Sequence, residues 1–197
     1  MPGSVLHSGQ RVTEPVAGQG TPHSPELDEI FQSLGIPYTY ASTCGMPLQR
    51  ECTTLVDTEL DVFGRQPRLD ARAFAAWTSM KAAAMRDGVE LQLVSAFRSI
   101  AYQRDLIQRK LARGDSIAAI LAVNAAPGYS EHHTGRALDI GTPGYAHLEI
   151  EFEASPAFAW LELHAADFGF HLSFPRGNVY GVQYEPWHWC YSTGKDS

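Results

Sequence analysis

Apolar positions along the chain fall into runs with two different periods. Leu27, Ile30, Phe31 and Leu34 recur at helical spacing and predict a helix over residues 25–34. Asp70, a residue type that caps helices, precedes Phe74, Trp77, Met80 and Ala84 on one helical face, and that run stops near Gly88. Residues 91–95 read as a strand. Ser99 opens a second helix that ends near Gly114, and Asp115 is placed to cap a shorter one through Leu121. Residues 136–140 alternate like a strand. Phe158, Leu161, Ala165 and Phe168 predict a helix over 156–168, closed by Gly169. Residues 170–174 and 187–191 alternate as strands. Helices and strands mix without a regular βαβ repeat, so an α+β fold is expected rather than a doubly wound sheet.

Composition divides the chain. Residues 1–25 are rich in Gly, Pro, Ser and Thr without an apolar period, and read as a flexible or draped arm. Residues 26–68 form an N-terminal extension packing on the domain, and 69–197 the core. A chain of 197 residues with 44% hydrophobic and 19% charged residues fits one globular domain. No run approaches the roughly 18 apolar residues of a membrane span. Fifteen basic against 22 acidic side chains leave −7, which argues against a general nucleic-acid binder. An acidic ligand would need a local arginine or a metal. The first residues carry neither the basic region nor the apolar stretch of a secretory leader. That predicts a cytoplasmic protein, or an envelope one whose leader has been removed. Cys44, Cys52 and Cys190 are too few for a disulfide scaffold. Cys44 and Cys52 could pair across a short loop, but the reduced state is expected.

Candidate chemistry gathers in two segments. In Ser130-Glu131-His132-His133-Thr134-Gly135-Arg136-Ala137-Leu138-Asp139, His132 falls in a turn and Asp139 on the strand that follows. In Tyr184-Glu185-Pro186-Trp187-His188-Trp189, alternation puts the two tryptophans on one face and His188 on the other. Pro186 limits pairing at the start of that strand and leaves Glu185 to point into a cleft. Two histidines and an aspartate make a three-ligand set with the fourth zinc position open, as in catalytic rather than structural sites. Glu185, three residues before a candidate ligand, is the candidate general base. Taken singly, each of these residues has a plainer reading as a surface, cap or core residue; the joint pattern favours a site.

Ser130, His132, Gly135, Ala137 and Asp139 spell S-x-H-x-x-G-x-A-x-D, and Glu185-Pro186-Trp187-His188-Trp189 spells its partner. Five fixed positions arise by chance in a chain of this length roughly once in ten thousand. Over about residues 69–191 the chain resembles the VanY-type D-alanyl-D-alanine carboxypeptidases, zinc metallopeptidases related to lysostaphin and the hedgehog fold. The resemblance implies a central, mostly antiparallel sheet flanked by helices, with one Zn2+ in a cleft over the sheet. It implies His132, Asp139 and His188 as ligands and Glu185 as base. Ser95-Ala96-Phe97-Arg98-Ser99, with Gln103, is similar to the family's S-G-Y-R-S-x-x-x-Q stretch, with Ala96-Phe97 in place of Gly-Tyr. Arg98 would then hold a substrate carboxylate or the developing oxyanion, and Gln103 and Ser130 would help bind the peptide. Without its neighbours, Arg98 would read as a surface ion pair. Cys190 lies on the His188 face of its strand and is expected to be a packing residue.

The implied activity removes the C-terminal D-alanine of a peptidoglycan stem peptide or precursor, at a D-Ala-D-Ala or an L,D-type bond. An endopeptidase on the same scaffold is the first alternative. A zinc-containing, non-catalytic module that binds cell-wall peptides is the second, against which the intact Glu185 argues.

Overall fold

The computed structural model describes residues 23–192. The arm expected over 1–25 lies outside these residues except for its last three. Helix α1 (Pro25–Leu34) starts where the Ser24 side chain accepts from Leu27 N–H, with Pro25 at its first position. It ends at Gly35, whose left-handed backbone (φ 66°) turns its N–H back to the Phe31 and Gln32 carbonyls. A one-turn helix, α2 (Tyr40–Thr43), follows. Strands β1 (Leu55–Asp57) and β2 (Arg68–Asp70) form a short antiparallel ribbon. Asp70 then caps α3 (Ala71–Arg86), accepting from the Arg72 and Ala73 amides.

The main sheet has four strands in the order β3-β4-β6-β5, all antiparallel. They are β3 (Gln92–Ser95), β4 (Ala137–Gly141), β5 (Phe170–Leu172) and β6 (His188–Tyr191). Helices α4 (Ile100–Ala112), α5 (Ile117–Val123) and α6 (Pro156–His164) complete the fold. The mixed, antiparallel α+β architecture is the one expected.

Alternation along the strands sorts the sheet into two faces. Leu93, Leu138, Ile140 and Trp189 pack with Trp77 and Met80 of α3 and Phe158 and Leu161 of α6 in a first core. Asp139 and His188 alternate with those residues and project from the opposite face. A second core joins Leu27, Phe31 and Leu34 of α1 to Ile107 of α4, Ile120 of α5, Tyr129 and Phe174. His23, assigned to the arm by sequence, is docked here: its Nε2 lies 2.7 Å from the Tyr129 hydroxyl and its Nδ1 3.1 Å from Asp28.

Several boundaries differ from expectation. Ser116, not Asp115, caps α5, because its hydroxyl reaches Ala119 N–H. The helix predicted to Phe168 tightens into a 3₁₀ turn from Ala165. The strand predicted to Phe174 ends at Leu172. The β1–β2 ribbon and α2 carry too few residues to show a period and escape the sequence reading. Cys44, Cys52 and Cys190 are free. Among the described residues no helix is long and apolar enough to cross a membrane.

Candidate metal centre

His132 sits on a 3₁₀ turn, Glu131–Thr134, ended by Gly135 in the left-handed region at φ 66°. A Cβ at Gly135 would come within 2.8 Å of Leu55 Cδ2 and 2.9 Å of the Asp70 amide nitrogen, so both conformation and space demand glycine. Asp139 lies in the middle of β4, and His188 begins β6 directly opposite it. The chain therefore brings together three residues from a turn and two neighbouring strands.

One ligand atom from each of His132, Asp139 and His188 lies within 4.8 Å of the others, and all three residues are buried. His132 Nδ1 meets the Ala96 carbonyl at 2.7 Å. That carbonyl can only accept, so Nδ1 carries the proton and the lone pair is on Nε2. Nε2 is buried without a hydrogen-bond partner and lies 3.4 Å from Asp139 Oδ1. His188 Nδ1 is 3.1 Å from the same oxygen, while its Nε2 is 2.9 Å from Glu131 Oε2. A bare imidazole nitrogen in a dry site costs roughly 1–3 kcal/mol. A cation between these atoms would satisfy it, and two nitrogens with one carboxylate suit zinc. The residues present fit the metal.

The electrostatics ready two of the three donors for a cation, His132 as a neutral ring and Asp139 as a carboxylate. Burial, helped by the Arg98 charge, lowers His132 to about 4, so its ring is neutral at pH 7. Burial would raise Asp139, but the two histidines outweigh it and hold the carboxyl far below its usual range. Burial would likewise lower His188, yet hydrogen bonds to Asp139 and Glu131 raise it to about 10. Glu131 falls to about 2, the His188 interactions overcoming its burial. Glu185 moves the other way, to about 7: burial dominates, aided by the charges of Asp139 and Glu131. Its Oε2 stands 3.9 Å from His188 Nδ1. Glu185 lies in the turn before β6 rather than on a strand, anchored by His188 N–H on its carbonyl and by its own N–H on Phe174 O.

Arg98 follows β3, and its backbone N–H bonds the His132 carbonyl at 3.2 Å. It makes no ion pair among the described residues, and its Nε is buried without a partner. His133 secures it from beneath: Nδ1 donates to Arg98 O at 2.6 Å and Nε2 accepts from Gly128 N–H at 3.1 Å. Both ring nitrogens of His133 are thus used within the protein. Gln103 is buried, donating from Nε2 to Ala125 O, with Oε1 unpartnered. Arg98, Gln103 and Ser130 line one cleft of about 350 Å³. Its apolar lining includes Tyr40, Met46, Leu121, Tyr129, Phe174, Tyr180 and Val182. Cys190 is buried; that burial, helped by the charge of Glu131, raises its thiol pKa, and it does not join the ligand cluster.

Sequence reasoning misses five residues: Glu131, His133, and the cleft residues Tyr40, Cys44 and Met46 of the extension. The first two sit inside the motif at positions it leaves open. The others belong to a segment with no motif.

A buried His-Asp-His cluster with a bare imidazole nitrogen, a neighbouring carboxylate and a cleft is an arrangement that could hold one metal ion on an antiparallel α+β fold. The chain belongs to the VanY family, described as D-alanyl-D-alanine carboxypeptidase, whose model matches residues 66–195. It is 30% identical over 145 residues to a D-alanyl-D-alanine carboxypeptidase of Enterococcus faecalis, covering 68% of this chain and 52% of that protein. The chain thus spans about half the length of this curated relative. Among solved structures, the LdcB LD-carboxypeptidase superposes with a TM-score of 0.64 at 28% identity, covering 74% of this chain and 71% of that one. A vancomycin-resistance D,D-pentapeptidase VanY from a VanB-type cassette, in complex with Zn(II), superposes with a TM-score of 0.58 at 28% identity, covering 74% and 82%.

Proposed function

We propose that the protein is a zinc-dependent carboxypeptidase that removes the C-terminal D-alanine from a peptidoglycan stem peptide. The observation that carries this is the buried, unpartnered His132 Nε2 facing Asp139 and His188, with Glu185 beside them in an open cleft. His132, Asp139 and His188 hold the ion. Zinc, when bound, lowers the pKa of water and polarises a carbonyl. Glu185 takes the proton of the attacking water and passes it to the leaving amine as the C–N bond breaks and the new C–O bond forms. The Arg98 guanidinium, which pairs with no carboxylate among the described residues and whose Nε is unpartnered, holds the peptide's terminal carboxylate or the oxyanion. Ser130 and the free Oε1 of Gln103 contact the peptide backbone. A relative described as a D-alanyl-D-alanine carboxypeptidase and a structural neighbour described as an LD-carboxypeptidase support both bond types.

The test is a digest of pentapeptide and tetrapeptide muropeptides by the zinc-loaded protein, with products read by mass spectrometry. Loss of one D-alanine from the pentapeptide assigns D,D activity. Loss from the tetrapeptide alone assigns L,D activity. Glu185→Gln should keep zinc and lose turnover by 100-fold or more, roughly the scale of general acid–base catalysis. No cleavage of either stem by metal-replete protein overturns the carboxypeptidase reading, and cross-linked substrates then decide between an endopeptidase and a binding module.

A further inference from the structure

The proposed site gives Glu131 no task, although it touches a ligand directly. Its Oε2 lies 2.9 Å from His188 Nε2, and only 19% of its side chain is exposed. Both candidate histidine ligands are gripped on the nitrogen that faces away from the cluster. For His132 the grip is the Ala96 carbonyl on Nδ1, at 2.7 Å, leaving Nε2 inward. For His188 it is Glu131 on Nε2, leaving Nδ1 inward, 3.1 Å from Asp139. The two rings thus present opposite nitrogens to one point. The Phe174 ring, 4.8 Å from the His188 ring, restricts its tilt. A cation at the cluster can displace only the proton on the inward Nδ1, and an imidazole with its Nδ1 lone pair free must be protonated on Nε2.

We propose that Glu131 is a positioning residue for the metal centre. It accepts the Nε2–H of His188, fixes the tautomer with the lone pair on Nδ1, and turns that lone pair toward the cation. The inference rests on the zinc-site reading above and adds a residue to it. A carboxylate does this differently from the neutral carbonyl behind His132. Its charge makes the His188 ring a stronger donor to the metal, and outer carboxylates of this kind are worth about 10–100-fold in metal affinity. It also separates the two glutamates of the cleft. The contact with His188 occupies a Glu131 oxygen, which leaves Glu185 to handle protons.

The experiment compares wild type, Glu131→Gln and Glu131→Ala in two measurements that need no turnover. Zinc affinity is read by competition with a chromophoric chelator. The His188 tautomer of the zinc-loaded protein is read from long-range ¹⁵N–¹H correlations. The wild type should show Nε2–H on His188. Glu131→Ala should bind zinc about 10–100-fold more weakly. Glu131→Gln, whose amide oxygen still accepts from Nε2–H, should keep the tautomer and recover part of the affinity. Equal zinc affinity in all three proteins, or Nδ1–H on His188 in the loaded wild type, would overturn the proposal. Should Glu131→Ala fail to melt cooperatively, the wild-type tautomer and the affinity of Glu131→Gln decide it. A wild type that binds no zinc overturns the site itself, an outcome distinct from a wild type that binds zinc without regard to Glu131.

Discussion

The two hydrophobic cores stand in different relations to the cleft. In the first, Leu138, Ile140 and Trp189 of the sheet meet Trp77 of α3 and Leu161 of α6. All its buried members fall within the segment that matches the family, 66–195. It backs the sheet on the face away from Asp139 and His188. The second draws Leu27, Phe31, Leu34, Ile36 and Met46 from outside that segment and joins them to Ile107, Ile120, Tyr129 and Phe174. Met46, Tyr129 and Phe174 also line the cleft. The first core therefore backs the strands that carry the candidate ligands Asp139 and His188, whereas the second shapes the space beside them. Damage to the first should cost stability at unchanged chemistry. Damage to the second should change how substrate is held.

The largest effect should come from Trp77→Ala, which empties a fully buried site and removes the indole bond to Glu59. We expect a loss of about 4–5 kcal/mol in urea unfolding, with the zinc affinity of the remaining folded protein unchanged. Phe31→Ala should cost about 3 kcal/mol and, unlike Trp77→Ala, raise KM, because Phe31 packs edge-on against the cleft residue Tyr40. Equal KM values for the two variants would end the distinction between the cores.

Gly135→Ala tests the junction between motif and extension. Its positive φ and the close Asp70 amide predict a loss of about 1–3 kcal/mol, together with weaker zinc binding as the His132 turn shifts. Tyr40→Phe leaves the Ala126 N–H without its acceptor. About 1 kcal/mol should go, and a rise in KM without a fall in kcat would place the effect in the wall.

The smallest effect serves as a control at a residue that does not line the cleft. Burial would raise the Asp61 carboxyl, but bonds from the Arg65 and Phe63 amides and the Arg65 side chain lower it overall. A group whose pKa is lowered by folding contributes its stability above its unfolded pKa and loses it as pH falls through the folded one. Asp61→Asn should therefore cost about 1 kcal/mol at pH 7, and the deficit should vanish in acid, with KM unaffected. A deficit that persists in acid would mean that the carboxylate's charge contributes nothing.

Much of the fold was legible because its signals are local. Asp70 and Ser99 each cap the helix that the pattern places after them. Where two cap residues stand side by side, as Asp115 and Ser116 do, only the path of the chain decides which side chain reaches the third amide on. Three-residue strands such as β1 and β2 have no period to read. The strand expected from Trp187 begins one residue later, at His188, and Glu185 lies ahead of it, as Pro186 suggests.

The sequence by itself determined the fold class and the donor set: which histidines, which aspartate and which glutamate could meet at a metal. Only the tertiary structure decided which nitrogen each histidine presents, that His133 supports Arg98, that Glu131 grips His188, and that Tyr40 and Met46 wall the cleft. The physical reason is range. Caps and periods act over one or two turns of chain, and the spacing of a motif is written in order. The direction of a ring is set through space, by the Ala96 carbonyl 36 residues from His132 and the Glu131 carboxylate 57 residues from His188.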